Sequence, residues 1–264
     1  MHHASIDLSH VKARLADPGE KMQYNKRLFS IVAPAYNLIS AILSFGRDFE
    51  WKKSLLQQLP ARPISRIIDI ACGPGNLTFP LKKKYPSADV YGVDLSLPMM
   101  RRKSNGLRQE DRPLFVNADM CRLPLPNGCA DIVTGGYALR NAPRVDDAVT
   151  EICRVLRPGG AAAFLDFSHA DNRVIFSLHY ALLQIWGGLW GLVVHGRPAV
   201  YAYIADSLFD FPSRSALHSL FEKAGLPLTF SKRYMFGMIE LFVVEKALVL
   251  PGAVEKVAEP ESRT

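Results

Sequence analysis

The stretch Ile67-Ile68-Asp69-Ile70-Ala71-Cys72-Gly73-Pro74-Gly75 decides how the rest of the chain is read. A short apolar run leads into a loop of small residues, and Leu77 to Tyr85 then reads as a helix. A strand that empties into such a loop at a helix N-terminus is built to cradle a ligand. Small side chains let the ligand approach the backbone, and the free N–H groups of the first helical turn point at it. Many α/β proteins carry a glycine-rich first turn, so the flanking sequence has to name the ligand.

Downstream of this stretch the pattern alternates. Strands are expected at Arg66–Ala71, Asp89–Asp94, Leu114–Asp119, Asp131–Gly136 and Ala161–Phe167. Helices are expected between them at Leu77–Tyr85, Pro98–Leu107 and Val145–Leu156. The last of these puts Val145, Val149, Ile152 and Leu156 on one face, and Pro158-Gly159-Gly160 is expected to end it. Alternation of this kind predicts an α/β fold with a doubly wound, mostly parallel sheet and right-handed crossovers. Ligands of such sheets sit at the carboxyl ends of the strands.

Upstream, Phe29–Leu43 and Phe49–Leu59 read as two helices of an N-terminal cap over residues 25–60, closed by Pro60 and Pro63. Residues 1–24 are polar and weakly patterned and read as a flexible arm or short helix. Beyond the fifth strand, an apolar helical insertion is expected over 170–212. Its segment Val174–Val194 has no charged residue and is flanked by Arg173 and Arg197. At about twenty residues it has membrane-spanning length. Ser177, His179, Gln184 and the glycines of Gly187-Gly188-x-x-Gly191, set inside a soluble fold, favour a buried or interfacial helix pair over the site. Ser213–Ala224 reads as another helix, Leu228–Ser231 and Met238–Glu245 as a strand pair, and 247–264 as a disordered tail. The domain proper is therefore 25–246.

With 264 residues, 48% of them hydrophobic, the chain can bury one generous core. Its net charge of +7 invites a search for nucleic-acid binding, but the basic clusters Lys82-Lys83-Lys84 and Arg101-Arg102-Lys103 are not interleaved with aromatics. They read as solvated helix faces, and no nucleic acid is expected. Cys72, Cys121, Cys129 and Cys153 show no metal-ligand spacing, and no signal peptide pattern opens the chain. Both features suit a reducing cytoplasm without a bound metal.

The ligand narrows at the next two strand ends. Asp94, in Tyr91-Gly92-Val93-Asp94-Leu95-Ser96, ends the second strand, where a carboxylate can accept from both hydroxyls of a ribose. Thr78 stands where a dinucleotide fingerprint would have its third glycine, and there is no P-loop lysine. The third strand ends in Asn117-Ala118-Asp119-Met120, at the height of an adenine edge. Exposed turn aspartates remain the plainer reading of Asp94 and Asp119.

Asp69-x-Ala-Cys-Gly-Pro-Gly75, Asp94, Asp119 and Arg154-Val-Leu-Arg-Pro-Gly-Gly160 together resemble the motif series of class I S-adenosylmethionine methyltransferases. Further stretches resemble the ubiquinone/menaquinone biosynthesis C-methyltransferases of the UbiE type. They are Val32-Ala-Pro-Ala-Tyr-Asn37 through Leu43-Ser-Phe-Gly46 and Trp51-Lys52-Lys53, Tyr137-Ala-Leu-Arg-Asn141, Leu165-Asp-Phe-Ser168, and Tyr201-Ala-Tyr-Ile-Ala-Asp-Ser207 with Phe211-Pro212. The resemblance runs from about Lys26 to Glu245. It implies a Rossmann-like methyltransferase fold with S-adenosylmethionine as cofactor. Asp69, Ala71, Gly73, Pro74 and Gly75 would line its methionine half. Asp94, with Leu95 beside it, would hold the ribose, Asp119 and Met120 would bracket the adenine, and Gly136 would face the sulfonium. Tyr36 would close over the cofactor. Arg140 and Asn141, with Tyr137 beside them, would serve the chemistry. The family usually has Thr at 74, Asp at 37, Ser at 136, Phe-Gly at 137–138 and Glu at 166, and a small-residue and His pattern where Ile239-Glu240-Leu241 stand. These departures leave cofactor binding intact, because much of it is backbone, and bear on the acceptor.

The expected activity is C-methylation of a prenylated quinol ring. A sulfonium methyl is already electrophilic, so the protein needs to align it and exclude water. Arg140 would stabilise the oxyanion of the acceptor, and a water or carboxylate beside it would take the proton. A structural ion pair for Arg140, a turn-capping role for Asn141 and plain core packing for Val174–Val194 stand as the plainer readings. Rival functions are methylation of another lipid-like or aromatic acceptor, such as a phospholipid amine, and an inactive scaffold. Peripheral contact with the inner face of the membrane and a homodimer complete the expectations.

Overall fold

The computed structural model describes residues 17–101 and 112–248. Its sheet has seven strands in the order β3-β2-β1-β4-β5-β7-β6. They are β1 (Arg66–Ile70), β2 (Asp89–Asp94), β3 (Leu114–Asn117), β4 (Ala130–Gly136), β5 (Leu156–Phe167), β6 (Leu228–Tyr234) and β7 (Ile239–Glu245). The first five pair in parallel. β7 inserts antiparallel between β5 and β6, because a short turn at Met235–Gly237 joins β6 to β7 and a hairpin can only close antiparallel.

Alternate residues feed opposite layers. Ile67, Ile132, Ala163, Leu165 and Leu241 pack with Trp51, Leu55 and Leu81 on one face. Ile68, Ile70, Val133, Phe164 and Phe242 pack with Val149, Ile152 and Phe221 on the other. That period of two fixes the register, since a slip of one residue would turn every side chain to the wrong layer. The helices of these layers are α3 (Asp48–Gln58), α4 (Thr78–Lys84), α5 (Leu97–Met100), α6 (Val145–Val155) and α9 (Arg214–Lys223). The strand order turns back between β1 and β4, so the carboxyl ends of those strands open a crevice.

The cap differs from expectation. Helix α1 (Pro18–Val32) begins inside the stretch read as an arm over 1–24. Asp17 caps it by accepting from the Glu20 N–H at 2.8 Å, Pro18 opens its first turn, and Tyr24, Leu28 and Val32 bury one face. Residues 1–16 lie outside the described residues. The helix expected over Phe29–Leu43 is interrupted at Pro34 by a 3-10 turn (Ala33–Ala35) before α2 (Tyr36–Leu43).

Two more boundaries move. β5 starts at Leu156 and runs through Pro158-Gly159-Gly160, with Gly159 at φ +72° donating to the Lys246 carbonyl. The insertion expected as a helix pair within Val174–Val194 is one unbroken helix, α7 (Arg173–His195), answered by α8 (Ala199–Asp206). Its glycines are crossing points. A Cβ on Gly187 would lie 2.6 Å from the Tyr201 carbonyl oxygen, and one on Gly191 would lie 2.6 Å from that of Arg197. α8 then packs Val200, Tyr201 and Tyr203 against Tyr24, Leu28, Val32 and Ile39 of the cap. The expected Pro98–Leu107 helix is described only over α5; residues 102–111 and the tail from 249 lie outside the described residues.

Candidate active site

A cavity of about 330 Å³ lies over the carboxyl ends of β1, β2 and β4, roofed by the cap and by α7 and α8. Of the lining residues that hold left-handed backbone, two directly follow strands of the parallel sheet: Ala71 after β1 (φ +47°) and Tyr137 after β4 (φ +58°). Such conformations cost on the order of 1–3 kcal/mol and persist only where the surroundings enforce them. Both are enforced. The Cys72 N–H donates to the Val93 carbonyl at 3.0 Å and the Gly73 N–H to the Asp94 carboxylate at 2.7 Å. The Tyr137 N–H donates to the Leu165 carbonyl at 2.6 Å, and the Asn141 side chain donates to the Tyr137 carbonyl at 2.8 Å.

At one end of the cavity stand Tyr36, Ala71, Gly73, Asp94, Leu95, Asp119, Met120 and Gly136. Gly73 has φ +55°, and a Cβ on it would come within 3.2 Å of the Met99 methyl. The Asp94 carboxylate accepts from Gly73 N–H and, at 2.8 Å, from Ser96 N–H, one bond on each oxygen. Burial lifts its pKa, and those N–H groups pull the other way. Asp119 accepts from the Cys121 N–H at 2.9 Å. The buried hydroxyl of Ser96, also in the lining, has no hydrogen-bond partner among the described residues.

Three predicted cofactor residues are not in the lining. Asp69 is buried under the loop, accepting from the hydroxyls of Thr78 (2.6 Å) and Thr134 (2.8 Å), so it ties the loop to α4 and β4. Burial pushes its pKa up to about 6, against the two threonine bonds. Gly75, at φ +87°, makes room for an aromatic packing: a Cβ would lie 2.7 Å from the Phe79 ring, which packs on Phe115. Pro74 is buried beside it. These residues hold the cradle's shape from behind.

At the other end stand Tyr137, Arg140 and Asn141 with Phe167, Tyr203, Met235, Met238, Leu182, Leu183 and Trp186. Arg140 is buried. Its Nη1 donates to the Ser207 hydroxyl at 3.0 Å, its Nε lies 3.5 Å from the Asp166 carboxylate, and its guanidinium sits 5.1 Å over the Phe167 ring. Nε has no hydrogen-bond partner. The ion pair expected as the plainer reading is present, on a side chain that also faces the cavity. Burial lifts Asp166 to a pKa of about 6, opposed by Arg140 and by backbone N–H groups.

Sequence reasoning missed several polar partners at this end. The Tyr137 hydroxyl donates to Asp48 at 2.9 Å, and Lys52 donates to the same carboxylate at 2.6 Å, a buried group of three. Burial and the Asp48 charge hold the Tyr137 phenol well above its ordinary pKa, and burial likewise pushes Tyr36 up to about 12. The Tyr203 hydroxyl donates to Asn25 and, at 3.1 Å, to Asn141, while the Asn25 amide donates to the Asn141 carbonyl at 2.9 Å. Asn141 is thus a tether joining α1 and α8 to the loop after β4. Lys52 and Tyr203 stand in two of the stretches that carry the family resemblance, without a role of their own there, and nothing local marks Asn25 or Asp48. Among the described residues no cluster could hold a metal ion.

Comparison with known proteins gives the family and the fold. The model of the ubiE/COQ5 methyltransferase family matches residues 18–246. The demethylmenaquinone methyltransferase of Thermus thermophilus is 33% identical over 83% of this chain and all of its own length. The ubiquinone/menaquinone biosynthesis C-methyltransferase UbiE of Geobacter sulfurreducens is 30% identical over 89% of this chain and 92% of its own. A solved S-adenosylmethionine-dependent methyltransferase of Thermotoga maritima shares the fold, with a TM-score of 0.58 at 16% identity over 84% of this chain and 99% of that one.

Proposed function

The chain belongs to the ubiE/COQ5 methyltransferase family, and from that premise we propose that it moves a methyl group from S-adenosylmethionine to a ring carbon of a prenylated quinol. The observation that carries the acceptor is the far end of the cavity, where one buried guanidinium, Arg140, stands among Phe167, Met235, Met238, Leu182, Leu183 and Trp186. An apolar channel with a single buried cation suits an apolar acceptor that becomes anionic as it reacts.

The cradle residues fit the cofactor. Each Asp94 oxygen accepts one backbone N–H and keeps a lone pair for a ribose hydroxyl. The Ser96 hydroxyl, buried and unpaired, is a polar atom awaiting a partner. Gly73 would leave room for the methionine half, Asp119 and Met120 would hold the adenine, Tyr36 would cover the cofactor, and Gly136 would leave space at the end of β4 for the methyl. The bound cofactor supplies an electrophilic methyl on a sulfonium. The protein supplies alignment, a dry cavity, and Arg140 to stabilise the quinol oxyanion that makes the ring carbon nucleophilic. The hydroxyl proton leaves to a water or carboxylate beside Arg140, and once the ring carbon carries the methyl its own hydrogen leaves as a second proton while the oxygen is reprotonated, restoring the aromatic quinol. Asp166, 3.5 Å from Nε, is a carboxylate so placed, though outside the lining. Asn141 and Tyr137 position this loop. The four cysteines are all free thiols, as a reducing cytoplasm keeps them, and a tailed acceptor would bring the protein to the inner face of a membrane.

The test is the quinone pool of cells lacking this protein, measured by mass. Accumulation of a quinone lighter by one methyl is expected. An unchanged pool, together with methylation of a phosphatidyl amine and of no quinol by the purified enzyme, overturns the reading.

A further inference from the structure

α7 carries an apolar face that none of the described residues covers. Val174, Leu178, Ile185, Leu189 and Val193 are between 48% and 78% exposed, with Leu182 at 47% in the same stripe. Positions 178, 182, 185, 189 and 193 recur at helical spacing along one side. The opposite side is the one held on the domain: His179, Gly187 and Gly191 are buried, and Tyr180 and Gln184 both donate to Asp206 of α8.

The stripe passes the mouth of the cavity. Leu182 is both exposed and part of the lining. Beside it Phe45 is 62% exposed, stacked on Trp186 with centroids 5.2 Å apart, and both rings line the cavity. Phe236 is wholly exposed, held in left-handed backbone at φ +55° on the turn whose neighbours Met235 and Met238 line the cavity. Exposed cations stand with these apolar groups: Arg173 at the start of α7, and Lys232 and Arg233 near Phe236. The nearby acids Glu50 and Asp171 are each ion-paired, with Arg47 and Arg214 respectively. The whole chain carries +7.

We propose that this face docks the protein on an anionic lipid bilayer, with α7 lying in the headgroup plane and the cavity mouth opening on the acyl layer. At 23 residues α7 is long enough to cross a membrane. Crossing would draw α8 and the buried Asp206 contacts off the domain, so the helix lies in the interface instead. Apolar burial along the stripe and cations at its ends are the two ingredients of such binding. A tailed acceptor then reaches Arg140 with its tail still in the bilayer. This last step rests on the proposed acceptor; the docking does not.

The test is sedimentation of the full chain with vesicles of phosphatidylcholine, with and without phosphatidylglycerol. Wild type is expected to pellet with the anionic vesicles, less so at high salt, and poorly with neutral ones. The double variant Ile185→Glu/Leu189→Glu, neither of which lines the cavity, should lose about tenfold in partition while binding S-adenosylmethionine as wild type does. Equal pelleting of the variant, or no pelleting of wild type, overturns the proposal. So does a wild-type dimer that the double variant breaks, since the face would then belong to a second copy. In the activity arm, the variant should methylate a tailed quinol in vesicles about tenfold more slowly and a tail-less quinol in solution at the wild-type rate. If wild type methylates neither, the acceptor reading falls, while the vesicle partition still decides the docking.

Discussion

The two ends of one cavity are built in different ways. The cofactor end comes from loops that directly follow β1, β2 and β3, and its contacts are largely backbone: Gly73 N–H and Ser96 N–H on Asp94, Cys72 N–H on Val93. The acceptor end is assembled from α1, α3, α7, α8 and the loop after β4, joined by side chains far apart in sequence. Tyr203 reaches Asn25 and Asn141, Tyr137 reaches Asp48, and Arg140 reaches Asp166 and Ser207. A backbone cradle tolerates changes of side chain, whereas a side-chain network is set by each of its members. The two ends should therefore fail separately.

The largest separation is expected at Arg140. Replacing it with Met removes the only guanidinium in the cavity lining among the described residues and leaves Asp166 buried without its cation. Loss of an oxyanion stabiliser costs about 100- to 1000-fold in kcat. Cofactor affinity, measured by calorimetry, should stay at the wild-type value. A matching loss of cofactor affinity would show that the ends are not independent.

Asp94→Ala is the converse. It strips Gly73 N–H and Ser96 N–H of their acceptor and removes the ribose contacts. With hydrogen bonds to a charged group contributing about 1.5–3 kcal/mol each, cofactor affinity should fall by roughly 100-fold. The partition into anionic vesicles should be unchanged. Cofactor binding at wild-type strength would remove Asp94 from the ribose site.

Tyr203→Phe probes the network itself. The hydroxyl it deletes is shared by Asn25 and Asn141, and their side-chain oxygens would lose their donor. A buried group left unpaired costs about 1–3 kcal/mol. Thermal unfolding should shift down by several degrees, and kcat/KM for the acceptor should drop about tenfold, the equivalent of about 1.4 kcal/mol. Cofactor affinity should hold. An unchanged acceptor kcat/KM would make Asn141 a turn residue and no more.

The same contrast explains what the sequence discloses. The sheet was legible because five strands alternate with helices and each apolar run has its own period. Ala71, Gly73, Asp94 and Asp119, which line the cavity, were within reach of the sequence because each stands at or just past the end of a strand. Asp69 and Gly75 belong to the same local motif, and sequence could not separate a ligand contact from a support beneath one: Thr78, Thr134 and Phe79 decide that in three dimensions. Lys52 and Tyr203 fall in stretches that carry the family resemblance, yet the contacts of Asp48 with Tyr137 and of Asn25 and Tyr203 with Asn141 had no local signature, because they join different elements. α1 was hidden by charged residues between its buried positions, although Asp17, Pro18 and Glu20 form an N-terminal signature that a closer reading of helix starts would recover.

Asp166 gives the smallest effect and the one whose sign is least intuitive. Its pKa stands at about 6 in the folded protein, above its ordinary value of 3.8, because burial outweighs the help of Arg140 and the backbone N–H groups. A carboxyl with a raised folded pKa binds more protons folded than unfolded across that interval. Its cost to stability is fully present above about pH 6 and is relieved as pH falls toward 4. Asp69, also at about 6, acts in the same direction. Protonating Asp166 nevertheless removes the negative charge that steadies Arg140, so activity should decline in the very interval where these two groups favour the fold. The expected acid limb of acceptor kcat/KM is near pH 6 and modest, about fivefold, corresponding to the roughly 1 kcal/mol of a weakened charge contact. Asp166→Asn should hold activity near the low plateau at every pH and erase the limb. A limb that persists unchanged in Asp166→Asn would assign the titration to another group and leave Arg140 steadied by Ser207 and Phe167 alone.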